Sequence, residues 1–179
     1  MEGLLAICAA EGVSVSYQPL APERGLMGMY IRDGQRAGII LDVSLQSQPR
    51  LERTVMAEEV GHHFTVGQGS IFVIHFSYHT AIGLSRADEL ALRWGADYLV
   101  PTPALAEAIR DGLRNYDELA DHFNTTAWMI RRKLVFLRQD LRREQGLRVK
   151  GLRDLFAPIL VDALWGQASE EGWQTSIAS

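Results

Sequence analysis

The segment Ala57-Glu58-Glu59-Val60-Gly61-His62-His63 constrains this chain more than any other, because it sets two carboxylates and two imidazoles within a run of helical spacing. Leu51 and Val55 extend the pattern upstream, and the steps 51, 55, 58 and 62 trace one stripe that faces the interior. Glu58 and His62 therefore occupy positions where apolar residues belong. An unpaired carboxylate there costs on the order of several kcal/mol, so a compensating charge is required. A divalent cation held between side chains at i and i+4 supplies one.

Of the 179 residues, 47% are hydrophobic and 22% charged, which suits one core, or one core with an appendage, better than two full-sized domains. The single cysteine, Cys8, lies in an apolar helical pattern with Leu4, Leu5 and Ile7 and reads as a small buried hydrophobe. It permits no intramolecular disulfide and fits a reducing cytosol. No run reaches the roughly 20 apolar residues that span a bilayer, and no basic segment precedes an apolar run at the start. The expectation is a cytoplasmic protein with no membrane association. The net charge of −4 hides an uneven distribution: residues 131–153 hold nine of the 18 basic side chains against Asp140 and Glu144, so that stretch is +7 and the remainder −11. Such a stretch is either a docking face for nucleic acid or an acidic partner, or the solvated side of a long helix.

Along the chain, residues 1–11 read as a helix stopped at Gly12, and Val13 and Val15 alternate with Ser14 and Ser16 as in a strand. Two apolar runs, 26–32 and 36–41, flank Asp33-Gly34-Gln35, a strong hairpin signal. The motif helix is expected to begin near Pro49 or Arg50 and to end before Gly67 and Gly69. A connection of about twenty residues follows and contains the apolar run Ile71 to Phe76; connections of that length are functional or carry structure of their own. A second helix is expected from an N-cap at Ser85 to Val100, stopped by Pro101 and Pro103, and a third from Ala104 to Arg114. From Asn115 the pattern is helix, turn, helix, with a break at Asn124-Thr125 and a second helix from Thr126 to about Arg143. Leu152, Leu155, Phe156, Ile159, Leu160, Ala163 and Leu164 form an apolar helical stripe interrupted by Pro158, which belongs to the core or covers a partner or second copy.

A zinc hydrolase needs ligands, an open coordination position for water and a carboxylate that takes the water's proton. The His-Glu-x-x-His helix provides two ligands one turn apart with the base beside the first. Glu58-Glu59-Val60-Gly61-His62 has that spacing with glutamate in the first ligand position. Glu58 and His62 are then the ligands and Glu59 the general base, since zinc lowers the pKa of its bound water to about 7. A third ligand is expected from the second helix: Asp88 shares a face with Ala91 and Gly95, small residues that allow close approach to the motif helix. Glu89 lies about 100° around that helix and is its substitute if the register moves by one.

These residues resemble the ImmA/IrrE-type metallopeptidases, a zincin-like family. Ala57-Glu58-Glu59-Val60-Gly61-His62 is similar to a family variant in which the usual His-Glu-x-Gly-His reads Ala-Glu-Glu-x-Gly-His. Asp88, Ala91, Trp94, Gly95, Leu99 and Pro101 fit the second family signature, with aspartate at a position usually held by glutamate. Asp117 to Phe123 also resembles a helical segment of the family, and the similarity spans about residues 13 to 137. The resemblance implies a zinc-dependent endopeptidase that cleaves a helix-turn-helix transcriptional repressor and so releases genes of a phage, mobile element or stress response. Glu58 and Asp88 make the ligand set more anionic and harder than the family's, which brings manganese into competition with zinc.

Each sharp reading has a plainer one beside it. Glu58, Glu59 and His62 could belong to a helix with one buried histidine and two surface glutamates. His63, on the face of Glu52, Met56 and Glu59, is a surface or core residue, or pairs with Glu59 at i+4. His75, Tyr78 and His79 are candidates for polarising a substrate carbonyl, or simply pack in their loop. The pair of helices after 116 admits DNA contact through Arg131, Arg132 and Lys133, although a structural or substrate-docking role is favoured. The expected fold is α+β: a small three-stranded antiparallel sheet packed on the motif helix, followed by a mostly helical C-terminal part. The expected division is a metallopeptidase core over 1–103, a helical region over 104–165 and a polar tail over 166–179. The competing function is a catalytically inactive module of the same fold that binds a repressor or DNA.

Overall fold

The computed structural model describes residues 1–21, 25–65, 71–74 and 86–143. The chain is α+β, with its elements in the order α1 (Glu2–Ala10), β1 (Val13–Gln18), β2 (Gly28–Asp33), β3 (Arg36–Asp42), α2 (Pro49–Thr65), β4 (Ile71–Ile74), α3 (Arg86–Leu99), α4 (Thr102–Arg110), α5 (Tyr116–Phe123) and α6 (Ala127–Arg143). Among the described residues no helix is long and apolar enough to cross a membrane. Ser85 and the apolar stripe at 152–164 lie outside the described residues, as does the polar tail.

Local signals explain most of these boundaries. Gly12 ends α1 with φ +67°, and Gly34 opens the β2–β3 loop with φ +56°, both in the left-handed region that costs glycine nothing. Asp33 and Arg36 pair across that loop, so it has two residues, Gly34 and Gln35. The Asn115 side chain accepts the Glu118 N–H at 2.8 Å and caps α5. Asn124 ends α5 at φ 48°, a conformation asparagine tolerates, and the Thr126 hydroxyl accepts the Met129 N–H at the start of α6. One boundary differs from expectation: α4 starts at Thr102 and ends at Arg110, because Pro103 opens a helix rather than closing one and Gly112, at φ +102°, lies beyond its end.

The sheet departs further from the expected three antiparallel strands. It has four strands in the order β1-β3-β2-β4, and it is mixed. Tyr30 pairs with Ile39 in the antiparallel β2–β3 hairpin, and Val15 pairs with Ile39 in a parallel β1–β3 ladder. The connection from Gln18 to Gly28 is long enough to step over one strand, which at a spacing of roughly 4.8 Å per strand requires only three residues or so of extended chain. β1 therefore lands outside β3, and β3 enters between the strands that precede it. The fourth strand is the first part of the apolar run after α2: Ile71 to Ile74 pair antiparallel with Arg32 to Met29, so this long connection does carry structure.

Helix α2 crosses one face of this sheet, and α3 packs along its other side. From Thr54 to His63 every residue of α2 is buried, a wider burial than the single stripe 51, 55, 58 and 62 implied. The sheet contributes Tyr30, Ile39 and Leu41 to the core, α1 contributes Leu4 and Cys8, and the C-terminal helices contribute Leu105, Leu119, Met129, Ile130 and Leu134. The turn between α5 and α6 is fastened to the first half of α2: Arg53 donates to the carbonyls of Phe123 and Asn124 at 2.6 and 2.7 Å, Thr54 meets Thr125 at 3.0 Å, and Arg50 pairs with Asp121. Asp42 fixes the entry to α2 by accepting the N–H groups of Leu20 and Ser44 at 2.7 and 2.9 Å.

Candidate metal centre

The motif lies in the middle of α2, where the helix is enclosed on two sides. Toward α3 the approach is close because two glycines lack a Cβ. A methyl on Gly61 would stand 2.3 Å from the Ala91 carbonyl oxygen, and one on Gly95 3.1 Å from the Ala57 carbonyl group. The register is the one the sequence predicts, with Ala91 and Gly95 on the α2 side, and it gives that face of α3 to Asp88 rather than Glu89. Toward the sheet, Gly28 leaves room for Val55 and Glu59; a Cβ there would meet Val55 Cγ1 at 2.6 Å and Glu59 Oε1 at 2.7 Å.

Glu58, Glu59 and His62 are all buried, at 7%, 1% and 0% exposure, which removes the reading of two surface glutamates. Asp88 is half-buried at the start of α3. The Glu58 and Asp88 carboxylates both act on Glu59. Burial pushes the Glu59 carboxyl well above the usual carboxylate range, the neighbouring Glu58 charge pushes it further, a hydrogen bond from the Tyr30 backbone opposes the shift, and the Asp88 charge adds to it. Glu59 Oε2 is buried with no hydrogen-bond partner among the described residues.

His63 does not pair with Glu59. It is buried, its Nδ1 lies 3.1 Å from the Tyr30 hydroxyl, and its Nε2 lies 3.5 Å from Glu11 Oε2. The residue that links Glu59 and His63 is thus Tyr30, which no sequence signal connects to the motif, since strand pairing and helix docking across more than 30 residues leave no local trace. Beyond His63 the rings of Phe64, Trp94 and Tyr98 stack in a row, with centroids 5.1 and 5.4 Å apart, so Trp94 is a packing residue.

The candidates further along the chain divide. His75, Tyr78 and His79 lie outside the described residues. Arg131 is exposed with its guanidinium 4.8 Å above the Tyr116 ring, and Arg132 is half-buried, 5.1 Å above that of Trp128. Lys133 was expected at a nucleic-acid or partner surface, but it is 3% exposed and pairs with Asp97. The helical period explains the correction: Lys133 is next to Leu134 and one turn from Ile130 and Leu137, on the side of α6 that packs against α3.

Among the described residues no three His, Cys, Asp or Glu side chains already converge as a metal-binding group. The surroundings nonetheless suit a cation. The Glu58 and Asp88 charges bear on the Glu59 carboxyl, and Glu59 Oε2 is a buried acceptor that no donor among the described residues satisfies. Two carboxylates and one imidazole are a donor set accepted by zinc and by manganese. Comparison with known protein families, curated proteins and solved structures finds no match.

Proposed function

We propose that this chain is a metal-dependent endopeptidase of the ImmA/IrrE type that cleaves a helix-turn-helix transcriptional repressor. The observation that carries the reading is the burial of Glu58, Glu59 and His62 at the spacing of a zinc-hydrolase helix, with the half-buried Asp88 close enough for its charge to act on Glu59. Zinc, with manganese as alternative, would be held by Glu58, His62 and Asp88, and when bound it would acidify water and polarise a carbonyl. Glu59 takes a proton from the attacking water and returns it to the leaving amine. Strand β2 covers α2 at Gly28 and excludes bulk water from the Glu59 side, where exposure falls to 1%. Repressor recognition and release of phage, mobile-element or stress genes come from the resemblance, and the single cysteine fits a cytoplasmic setting.

A second reading is favoured by the ligand geometry: a module with the same fold that binds a repressor or DNA without cutting, since no three donors converge among the described residues. Metal analysis and cleavage separate the two. The purified protein is expected to hold about one zinc or manganese, lost on Glu58→Ala or His62→Ala, and to cleave the repressor encoded beside it, with cleavage abolished by Glu59→Gln. Protein without stoichiometric metal, whose melting temperature ignores added zinc, refutes the protease reading. Cleavage that survives Glu59→Gln refutes the role of Glu59.

A further inference from the structure

Strand β2 grips the motif helix at two points. Glu59 and His63 are one turn apart on the face of α2 that meets the sheet, and β2 reaches both: Gly28 makes room for the Glu59 carboxylate, and the Tyr30 hydroxyl meets His63 Nδ1 at 3.1 Å. The two rings stand edge to face with centroids 5.8 Å apart, which holds the imidazole at a fixed angle. Glu11, at the end of α1, closes the far side of the imidazole at 3.5 Å. Gly28, two residues before Tyr30 on the same face of β2, supplies the gap into which Glu59 Oε1 fits. Tyr30 is fully buried, and its hydroxyl would be a costly group to bury if it only filled space.

We infer that Tyr30 is a positioning residue for Glu59, anchored through His63 and Glu11, which sets the direction of the carboxylate by fixing β2 on α2. This rests on the protease reading for its catalytic consequence, but the alignment of Glu59 can be read without it. A hydroxyl-to-imidazole bond locks the strand in place along the helix, and the same strand carries Gly28, whose missing Cβ leaves the gap the carboxylate occupies. Loss of the hydroxyl lets β2 shift against α2 while the metal ligands Glu58 and His62, on other faces of the helix, keep their places.

The test uses the full chain with glutamate labelled by 13C at the carboxyl carbon, the Glu59 resonance being assigned by its loss in Glu59→Gln. Tyr30→Phe is expected to move the Glu59 resonance, to lower kcat about tenfold with KM and zinc affinity unchanged, and to leave the protein folded. His63→Leu is expected to do the same, and His63→Gln, which keeps a hydrogen-bonding group within reach of the hydroxyl, to restore most of the loss. An unmoved Glu59 resonance in both Tyr30→Phe and His63→Leu overturns the inference, as does a fall in zinc affinity that accounts for the lost rate. If wild-type protein holds no zinc and cuts no repressor, the protease reading fails, and the resonance still decides the role of Tyr30.

Discussion

Gly61→Ala is the substitution whose effect the packing of α2 and α3 fixes most tightly. Its Cβ would lie 2.3 Å from the Ala91 carbonyl oxygen, 2.9 Å from the carbonyl carbon and 3.0 Å from Cα, all backbone atoms that cannot rotate aside. Carbon and oxygen rest at roughly 3.5 Å, so the helices must part by about 1 Å at this point. Overpacking of this kind costs about 1–3 kcal/mol, and a clash with backbone falls at the upper end. Alanine returns about 1 kcal/mol through its better helix propensity, for a net loss of about 2 kcal/mol. Gly95→Ala provides the internal control. Its Cβ would be 3.1 Å from Ala57, so a shift of a few tenths of an ångström suffices, and the propensity gain roughly cancels the cost. Urea unfolding followed by circular dichroism is expected to show Gly61→Ala about 2 kcal/mol less stable at unchanged m, with its melting temperature lower by about 4–8 °C, and Gly95→Ala within about 0.5 kcal/mol of wild type. Zinc affinity should fall with Gly61→Ala, since Asp88 rides on α3 and Glu58 and His62 on α2. A Gly61→Ala protein as stable as wild type, or less affected than Gly95→Ala, would show that the two helices are not held at this separation.

Three further outcomes are expected. Asp42→Ala leaves the part-buried N–H groups of Leu20 and Ser44 without their acceptor and should cost about 2 kcal/mol in the same unfolding assay. Although burial works against ionisation of Asp42, hydrogen bonds from the Ser44 hydroxyl and the Leu20 and Ser44 amides lower its carboxyl below the usual value. Its contribution is therefore present above about pH 4 and lost as pH falls through the lowered folded-state value, so the stability gap between wild type and Asp42→Asn should narrow over that acid range; a gap independent of pH counts against it. Arg53→Lys removes the paired contacts with the Phe123 and Asn124 carbonyls and should cost about 1–2 kcal/mol, with hydrogen exchange rising first at the α5–α6 turn; exchange unchanged there would mean the turn is held by the threonines and the Arg50–Asp121 pair without Arg53. Chelation followed by zinc at about 1,000 times its Kd should raise stability by about 4 kcal/mol, and His62→Ala should abolish the gain.

Much of this architecture was legible because its causes are local. Pro49, Gly12, Asn115 and Asn124 act on their own neighbours, and the elements they delimit fall at the expected places. Asp33-Gly34 produced the β2–β3 hairpin for the same reason. The faces of α3 followed from its 3.6-residue period, which put Asp88, Ala91 and Gly95 on one side. An error arose where a residue's role depended on distant chain: Lys133 belongs to a basic run by sequence, yet α3 covers it and supplies Asp97. His63 is a core residue, one of the readings its sequence position allowed, but its partner is on a strand more than 30 residues upstream rather than Glu59 on its own helix.

The sequence by itself determined the helix that carries Glu58, Glu59 and His62 and the face of α3 that carries Asp88, because helical periodicity assigns side chains to faces wherever the helix packs. Only the tertiary structure decided that β3 enters between β1 and β2, that Tyr30 meets His63 while Gly28 makes room for Glu59, and that Gly61 is where two helices nearly touch. Those outcomes depend on which surfaces exclude water together, and residues far apart in the chain settle that jointly.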